Sequence, residues 1–383
     1  MEILFVTHKY PPIIGGMEKQ SFELINGMKP HIKVHTIIYE GQESRVTFFR
    51  LLHRRIKQLC NAHPGISMVH FNDGLIAAFS LTHKGYPHLK RIATLHGLDV
   101  VYPNWIYQRL IFPKFNRFDL IIAVSTATAE ACRIRGIAEE KLTVINNGVD
   151  TQIRPRASRA EVDLLLEQTY RTDSKGRRLL VAMGRPVKRK GFSWFIKNVS
   201  PLLHEDFLLL LIGPVRKRKK PDLMSMLPAL IVKPVSLLFG WPEDESAIEQ
   251  LIANPGFSKR VVRLGRLPFT EINSILSVAD AFVMPNIEIA GDMEGFGLVC
   301  LEAAMCGTKV IAAASGGITD AIHHKKNGTL LPSGENLHWI DTINDLPLIQ
   351  NPAPAAIISF TQTQFSWEKM ITNYLNAFQK ITR

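Results

Sequence analysis

Arg185, Lys188, Arg189 and Lys190 fall within six positions, between the apolar run "LLVAMG" and Gly191, which opens the helix-like "GFSWF". Arginine offers a planar fork and lysine a point charge, and at the carboxyl end of a strand both suit a diphosphate. The same residues also suit a solvated basic loop, and charge alone does not separate the two. A second stretch, "GDMEGFGLVCLEAAMCG" (291–307), puts Glu294 just before a Gly-x-Gly turn and Glu302 eight positions further on. Gly295 and Gly297, with Phe296 between them, permit close backbone approach. From Leu298 onward the pattern is helical, so free N–H groups would point at an anion. Glu294 and Glu302 would then face different parts of one phosphate-bearing ligand; otherwise they are a cap-like acid and a helix-surface acid. Two weaker signals are Gly15-Gly16 in "YPPIIGGMEKQ" and His96 with Asp99 in "TLHGLDV". Each follows an apolar run, but a strand–helix turn often needs glycine, and a lone histidine is as readily a satisfied loop residue.

These residues need a scaffold, and its period is legible. Runs such as "EILFVT", "KVHTIIY", "SMVHF", "RIATLHG", "LIIAVS" and "LTVINNG" alternate with amphipathic segments, and a second series follows with "LLVAMG", "FLLLLIG", "VVRLG", "AFVMP" and "KVIAAA". Several runs are apolar on both faces, as parallel strands covered by helices must be. The spacing predicts an α/β protein of two doubly wound parallel sheets, hinged within "NNGVDTQIRPRASRA" (146–160). Ligands of such sheets bind at the carboxyl ends of the strands, so a cleft between the two domains is expected.

With 383 residues, the chain exceeds one ordinary core, and 46% hydrophobic against 21% charged residues is globular composition. Cys60, Cys132, Cys300 and Cys306 form no Cys-x-x-Cys pair, which predicts a reduced, cytoplasmic protein without structural zinc. "MEILFVTHKY" reads as a buried strand rather than a signal peptide, and no run is long enough to span a bilayer. The net charge of +12 is spread over both halves and suits phosphate-bearing ligands, nucleic acid or an anionic membrane.

Taken in order, the motifs resemble the retaining family-4 glycosyltransferases of the GT-B fold. They are the Gly-Gly loop, "HG" after a mid-domain strand, "NNGVD", Gly-Arg-x4-Lys-Gly, Glu-x7-Glu containing "GFGL", and "SGGI", over residues 5 to about 330. The resemblance implies two Rossmann-like domains facing a central cleft. Residues 1–150 would form the acceptor side, 151–364 the nucleotide-sugar side, and a helix at about 365–383 would cross back to the first domain. It implies that Arg185 and Lys190, with Arg189 alongside, hold the donor diphosphate. Glu302 binds the ribose, and Glu294 with Gly295, Phe296, Gly297 and Leu298 holds sugar and phosphates. Arg266 and Leu267 meet the base, Gly16 approaches the donor phosphate, and His96 lies near the sugar. His96, Arg185, Lys190 and Glu294 are thus the expected catalytic set for hexosyl transfer from a UDP- or GDP-sugar, with no cofactor and no metal. Two departures stand out: extra acids Glu288 and Asp292 in "PNIEIAGDMEGFG", and a long stretch between Gly213 and Arg260 containing "RKRKK".

The expected acceptor is a glycan or a lipid-linked sugar, as in lipopolysaccharide or other cell-envelope synthesis. In "RVTFFRLLHRRIKQLC" (45–60), Phe48, Phe49, Leu52, Ile56 and Leu59 share a helix face opposite Arg50, Arg54 and Lys57. Such a helix either covers a sheet or lies on anionic lipid. With the basic and apolar stretch 215–241, it predicts a peripheral contact with the inner face of the cell membrane. The alternatives are a GT-B nucleotide-sugar epimerase, which has no need of Glu-x7-Glu beside Gly-Arg-x4-Lys, and a nucleic-acid-binding protein. The second is disfavoured because most of the basic runs lack interleaved aromatics, so no nucleic-acid partner is expected.

Overall fold

The computed structural model describes residues 1–83, 88–153, 157–215, 243–346 and 352–382. The chain divides into two compact units, Met1–Gly148 with Phe365–Arg383, and Val149–Gln364. Each unit contains one six-stranded sheet, and every strand pairing in both is parallel. This is the doubly wound α/β architecture expected from the alternating runs, repeated twice.

In the first unit the strands are β1 (Glu2–Thr7), β2 (Lys33–Ile38), β3 (Ile66–Phe71), β4 (Lys90–Leu95), β5 (Leu120–Ala123) and β6 (Leu142–Val144). Their order is β2-β1-β3-β4-β5-β6. From β2 onward every crossover advances in one direction, so right-handed connections put the segments after β2, β3, β4 and β5 on one face. The helix Arg45–Ala62 is the first of these, started by Ser44, whose hydroxyl accepts the Thr47 N–H at 3.1 Å. Its Phe48, Leu52 and Ile56 are fully buried, while Arg50, Arg54 and Lys57 are exposed. Of the expected stripe, Phe48, Leu52 and Ile56 go to the core and Phe49 and Leu59 are half-buried, while the outward side carries the cations. Of the stretch 215–241, all but Val215 lies outside the described residues.

The other face carries the helices Gly16–Met28 and Trp367–Thr382, which pack together. The second helix buries Met370, Ile371, Tyr374, Ala377 and Phe378, a stripe of period 3.6. The Tyr374 hydroxyl accepts from Gln20 Nε2 at 3.2 Å and lies 3.1 Å from the Thr94 hydroxyl, itself 2.9 Å from His70 Nε2. Burial, with the neighbouring His96 adding to it, pushes His70 down to about 3. The folded state therefore refuses a proton that the unfolded chain accepts below its ordinary value of 6.5. Stability from this group is whole above that value and falls with pH by up to about 1.4 kcal/mol per unit. Urea unfolding just below neutrality should show a steeper pH dependence in the wild type than in His70→Gln. Equal slopes would show that His70 is not the cause.

The second sheet comprises β7 (Arg178–Met183), β8 (Phe207–Ile212), β9 (Val261–Gly265), β10 (Ala281–Met284), β11 (Val310–Ala313) and β12 (Thr329–Leu331). The order is β12-β11-β10-β7-β8-β9, so β7 and β10 are central neighbours. Every residue of β8 is buried, each large side chain contributing about 1.5–3 kcal/mol by leaving water. The helix Phe192–Asn198 docks Phe192, Phe195 and Ile196 onto this core, with the Phe195 ring edge-on to Trp339 at 6.0 Å. That anchor fixes the loop preceding the helix, which carries the basic cluster.

Candidate active site

The loop Arg185–Lys190 leaves the carboxyl end of β7, and the segment Pro285–Gly297 leaves the carboxyl end of β10 beside it. Their side chains meet. Lys190 Nζ lies 2.9 Å from Glu294 Oε2, Arg189 Nε lies 3.3 Å from the same oxygen, and Arg189 Nη1 lies 3.3 Å from Asp292. Asn286 Nδ2 donates to Glu294 at 3.4 Å, and Lys190 Nζ sits 3.7 Å from Met284 Sδ. Lys190 is 6% exposed and Asn286 2%.

Such burial makes the charges interdependent. Burial alone would raise Glu294, but Lys190 and Arg189 outweigh it and hold the carboxyl down to about 2. Burial lowers Lys190 despite the pull of Glu294, whereas Arg189 is raised by Glu294 and Asp292 against its own burial. With Glu294 ionised beside it, we take the Lys190–Glu294 pair as charged at neutral pH. Two cations here face two carboxylates, so the quartet is internally compensated and does not act as bare positive charge. Cys300, buried behind it, is pushed up to about 12 by that burial and stays a thiol.

Backbone geometry ties the loops together. Gly191 adopts a φ of +67°, and a Cβ there would lie 1.9 Å from the Pro285 carbonyl oxygen. After β11, the Gly317 N–H donates to the Glu294 carbonyl at 2.8 Å. Gly316, at φ +55°, passes so near that a Cβ would lie 2.7 Å from that same oxygen. The helix Leu298–Met305 then starts from Gly297, which has no side chain to offer its first N–H groups. A helix N-terminus without a side-chain cap, beside a charge cluster at the carboxyl edge of a parallel sheet, is an arrangement that can take an anion.

The other expected residues distribute around this edge. Arg185 is exposed at the loop's start, Phe296 is buried, Gly295 is half-buried, and Glu302 is half-buried inside the helix. Arg266, exposed, and Leu267, half-buried, follow β9 at the same edge, two strands from β7. No sequence motif marks Asn286, "SGGI" marks the Ser315–Gly317 turn without giving it a role, and Asp292 stands in the sequence only as an extra acid.

Gly16 and His96 belong to the first unit. Gly16 is exposed at the start of its helix after β1. The His96 ring is fixed by Nε2 donating to the Asn72 carbonyl at 2.9 Å, since a carbonyl can only accept. Its backbone N–H donates to Asp99 at 2.8 Å. Burial raises Asp99, with His96 and two backbone N–H groups working against it. Beside them, Asp73 caps the helix Gly74–Ser80 through the Leu75 and Ile76 N–H groups and lies 3.0 Å from His8 Nδ1. Among the described residues, no group of three His, Cys, Asp or Glu side chains is placed to hold a metal ion, and no helix is long and apolar enough to cross a membrane.

A family model described as glycosyl transferases group 1 matches residues 170–364, and one described as Glycosyltransferase Family 4 matches residues 5–153. A D-inositol 3-phosphate glycosyltransferase of Mycobacteroides abscessus is 26% identical over 183 residues, 45% of this chain and 39% of that protein. A protein of the same name from Mycobacterium bovis is 24% identical over 274 residues, 68% of this chain and 48% of its own. The chain thus spans less than half the length of these curated relatives. Among solved structures, Anabaena HepE in complex with UDP superposes with a TM-score of 0.74 at 20% identity, covering 99% of this chain and 100% of that one. The apo form of the lipopolysaccharide outer core galactosyltransferase WaaB does so with 0.67 at 16% identity, covering 99% of each.

Proposed function

The chain belongs to the glycosyl transferases group 1 family and has the GT-B architecture, and from that premise we propose that it moves a sugar from a nucleotide-sugar donor to a glycan or lipid-linked acceptor. The observation that carries this reading is the Lys190–Glu294 pair beside the open N-terminus of Leu298–Met305, at the ends of β7 and β10. HepE has been solved with UDP and with UDP-glucose, which favours a uridine donor here over a guanosine one.

In this reading the donor pyrophosphate lies against the helix start and is met by Arg185, with Lys190 held in place by Glu294. Arg189 is held by Asp292 and Glu294, so it orders the loops rather than meeting the phosphate first. Glu302 takes the ribose hydroxyls, and Arg266 with Leu267 flanks the base. For the first unit, the reading gives Gly16 a phosphate contact and His96 a sugar contact. The transfer retains the anomeric configuration: the bond to the leaving phosphate breaks on the face where the acceptor oxygen attaches, and that phosphate takes the acceptor's proton. The protein contributes donors aimed at charge that grows on the leaving group. The acceptor belongs to lipopolysaccharide or related envelope glycans, reached from the cytoplasmic side of the membrane.

Arg185→Ala tests this, because the side chain is exposed and its loss opens no cavity in the core. Turnover of a UDP-sugar should fall by roughly 10²–10³, and the thermal shift that UDP gives the wild type should shrink while the ligand-free melting temperature holds. Unchanged turnover would remove Arg185 from the site, and no shift with any nucleotide would sink the donor assignment. No metal enters the proposed chemistry, so EDTA should leave the rate unaltered; loss on chelation with recovery on adding a divalent ion would overturn that.

A further inference from the structure

Between the short helix Leu98–Val101 and β5, the chain makes one π-helical turn, Tyr107–Ile111, and a 3-10 helix, Phe112–Arg117. Its underside is anchored: Phe112, Phe115 and Phe118 are fully buried, and the Tyr107 hydroxyl donates to the Asp99 carbonyl at 2.7 Å. Its outer side is apolar and uncovered. Trp105 is 68% exposed, Ile106 44% and Leu110 53%. Isolated exposed apolar residues are ordinary, but three on one anchored turn, one a tryptophan, form a patch that wants a partner.

The segment that carries the patch has charge of one sign. No acid occurs between Asp99 and Asp119, while Arg109, Lys114 and Arg117 are all exposed. The adjoining segment is joined through Arg135 to Gln108 and through Asn116 to the Gly136 carbonyl. Of its acids, Glu130 and Glu139 are paired with Arg133, and Glu140 is exposed beside them. We propose that residues 103–117 dock on an anionic lipid bilayer, with Trp105, Ile106 and Leu110 in the headgroup boundary and Arg109, Lys114 and Arg117 on lipid phosphates. Tryptophan favours that boundary, aliphatic side chains reach just beneath it, and bases gain from the negative surface potential. With right-handed connections the turn lies on the same face of the sheet as the helix Arg45–Ala62, whose Arg50, Arg54 and Lys57 are also exposed. The proposal stands on surface chemistry alone and holds or fails independently of the transfer reaction.

Co-sedimentation of the whole chain with vesicles tests it, using phosphatidylcholine alone and an equal mixture of phosphatidylcholine and phosphatidylglycerol. Binding to the mixed vesicles should exceed binding to the neutral ones by roughly tenfold or more and weaken with salt. Trp105→Ser with Leu110→Ser should lose most of that binding. Arg109→Gln, Lys114→Gln and Arg117→Gln together should erase the preference for the anionic mixture. Melting temperature and the UDP-induced shift should stay at wild-type values in both variants. Failure of the wild type to bind, or variants that bind as well as it does, would overturn the proposal. So would a wild-type dimer in sedimentation equilibrium that Trp105→Ser dissolves, which would assign the patch to a second copy of the chain.

Discussion

Lys190→Ala is expected to lose stability and turnover together, and a second substitution should separate the two. The ammonium is buried 2.9 Å from Glu294, whose side chain is only 13% exposed. Removing it strands a buried carboxylate on the longer contacts to Arg189 and Asn286. Breaking a buried pair in this way costs about 3–5 kcal/mol, and the lower end is expected because Arg189 remains. Turnover should fall by roughly 10²–10³, the usual consequence of deleting a donor aimed at a developing anion. Adding Glu294→Gln removes the stranded charge, so the double variant should regain most of the stability in urea unfolding and none of the turnover. Full stability in Lys190→Ala would show that the pair is not coupled, and wild-type turnover would show that it does not serve the reaction.

Gly191→Ala should be nearly as damaging without touching any charge. Its φ of +67° penalises any side chain, and the new methyl would lie 1.9 Å from the Pro285 carbonyl oxygen, with which it cannot coexist. The left-handed conformation alone costs an alanine about 1–2 kcal/mol. Relief of the clash must push β7's basic loop away from the segment that carries Asn286 and Glu294. A displacement of about 1 Å in a positioned site is worth roughly 10² in rate. A melting curve and a kcat measured on the same sample would check both parts. A variant with wild-type kcat would mean that the two loops need not keep this register.

Most strands were legible because several are runs apolar on both faces, as parallel strands covered by helices are; β12, three residues long at the sheet edge, falls in none of the runs read as strands. The two loops of the site were legible for a local reason: Gly-Arg-x4-Lys-Gly and Glu-x7-Glu each hold their residues within ten positions. What the sequence withheld is how they meet. Arg189 finds Asp292 and Glu294 more than a hundred positions away, and Gly316 presses on the Glu294 carbonyl across another turn. No periodicity encodes such contacts; they follow from β7, β10 and β11 lying side by side. The helix Arg45–Ala62 shows the opposite case, a pattern legible but ambiguous. An apolar stripe is the same whether it covers a sheet or floats on lipid, and only the burial of Phe48, Leu52 and Ile56 decided for the sheet.

The helix Trp367–Thr382 packs on Gly16–Met28, at the other extreme of the chain. During synthesis, Gln20 and Thr94 of the first unit therefore lack Tyr374 until residues 149–364 have been made. Residues 149–364 hold all six strands of the second sheet and need no later segment to complete it.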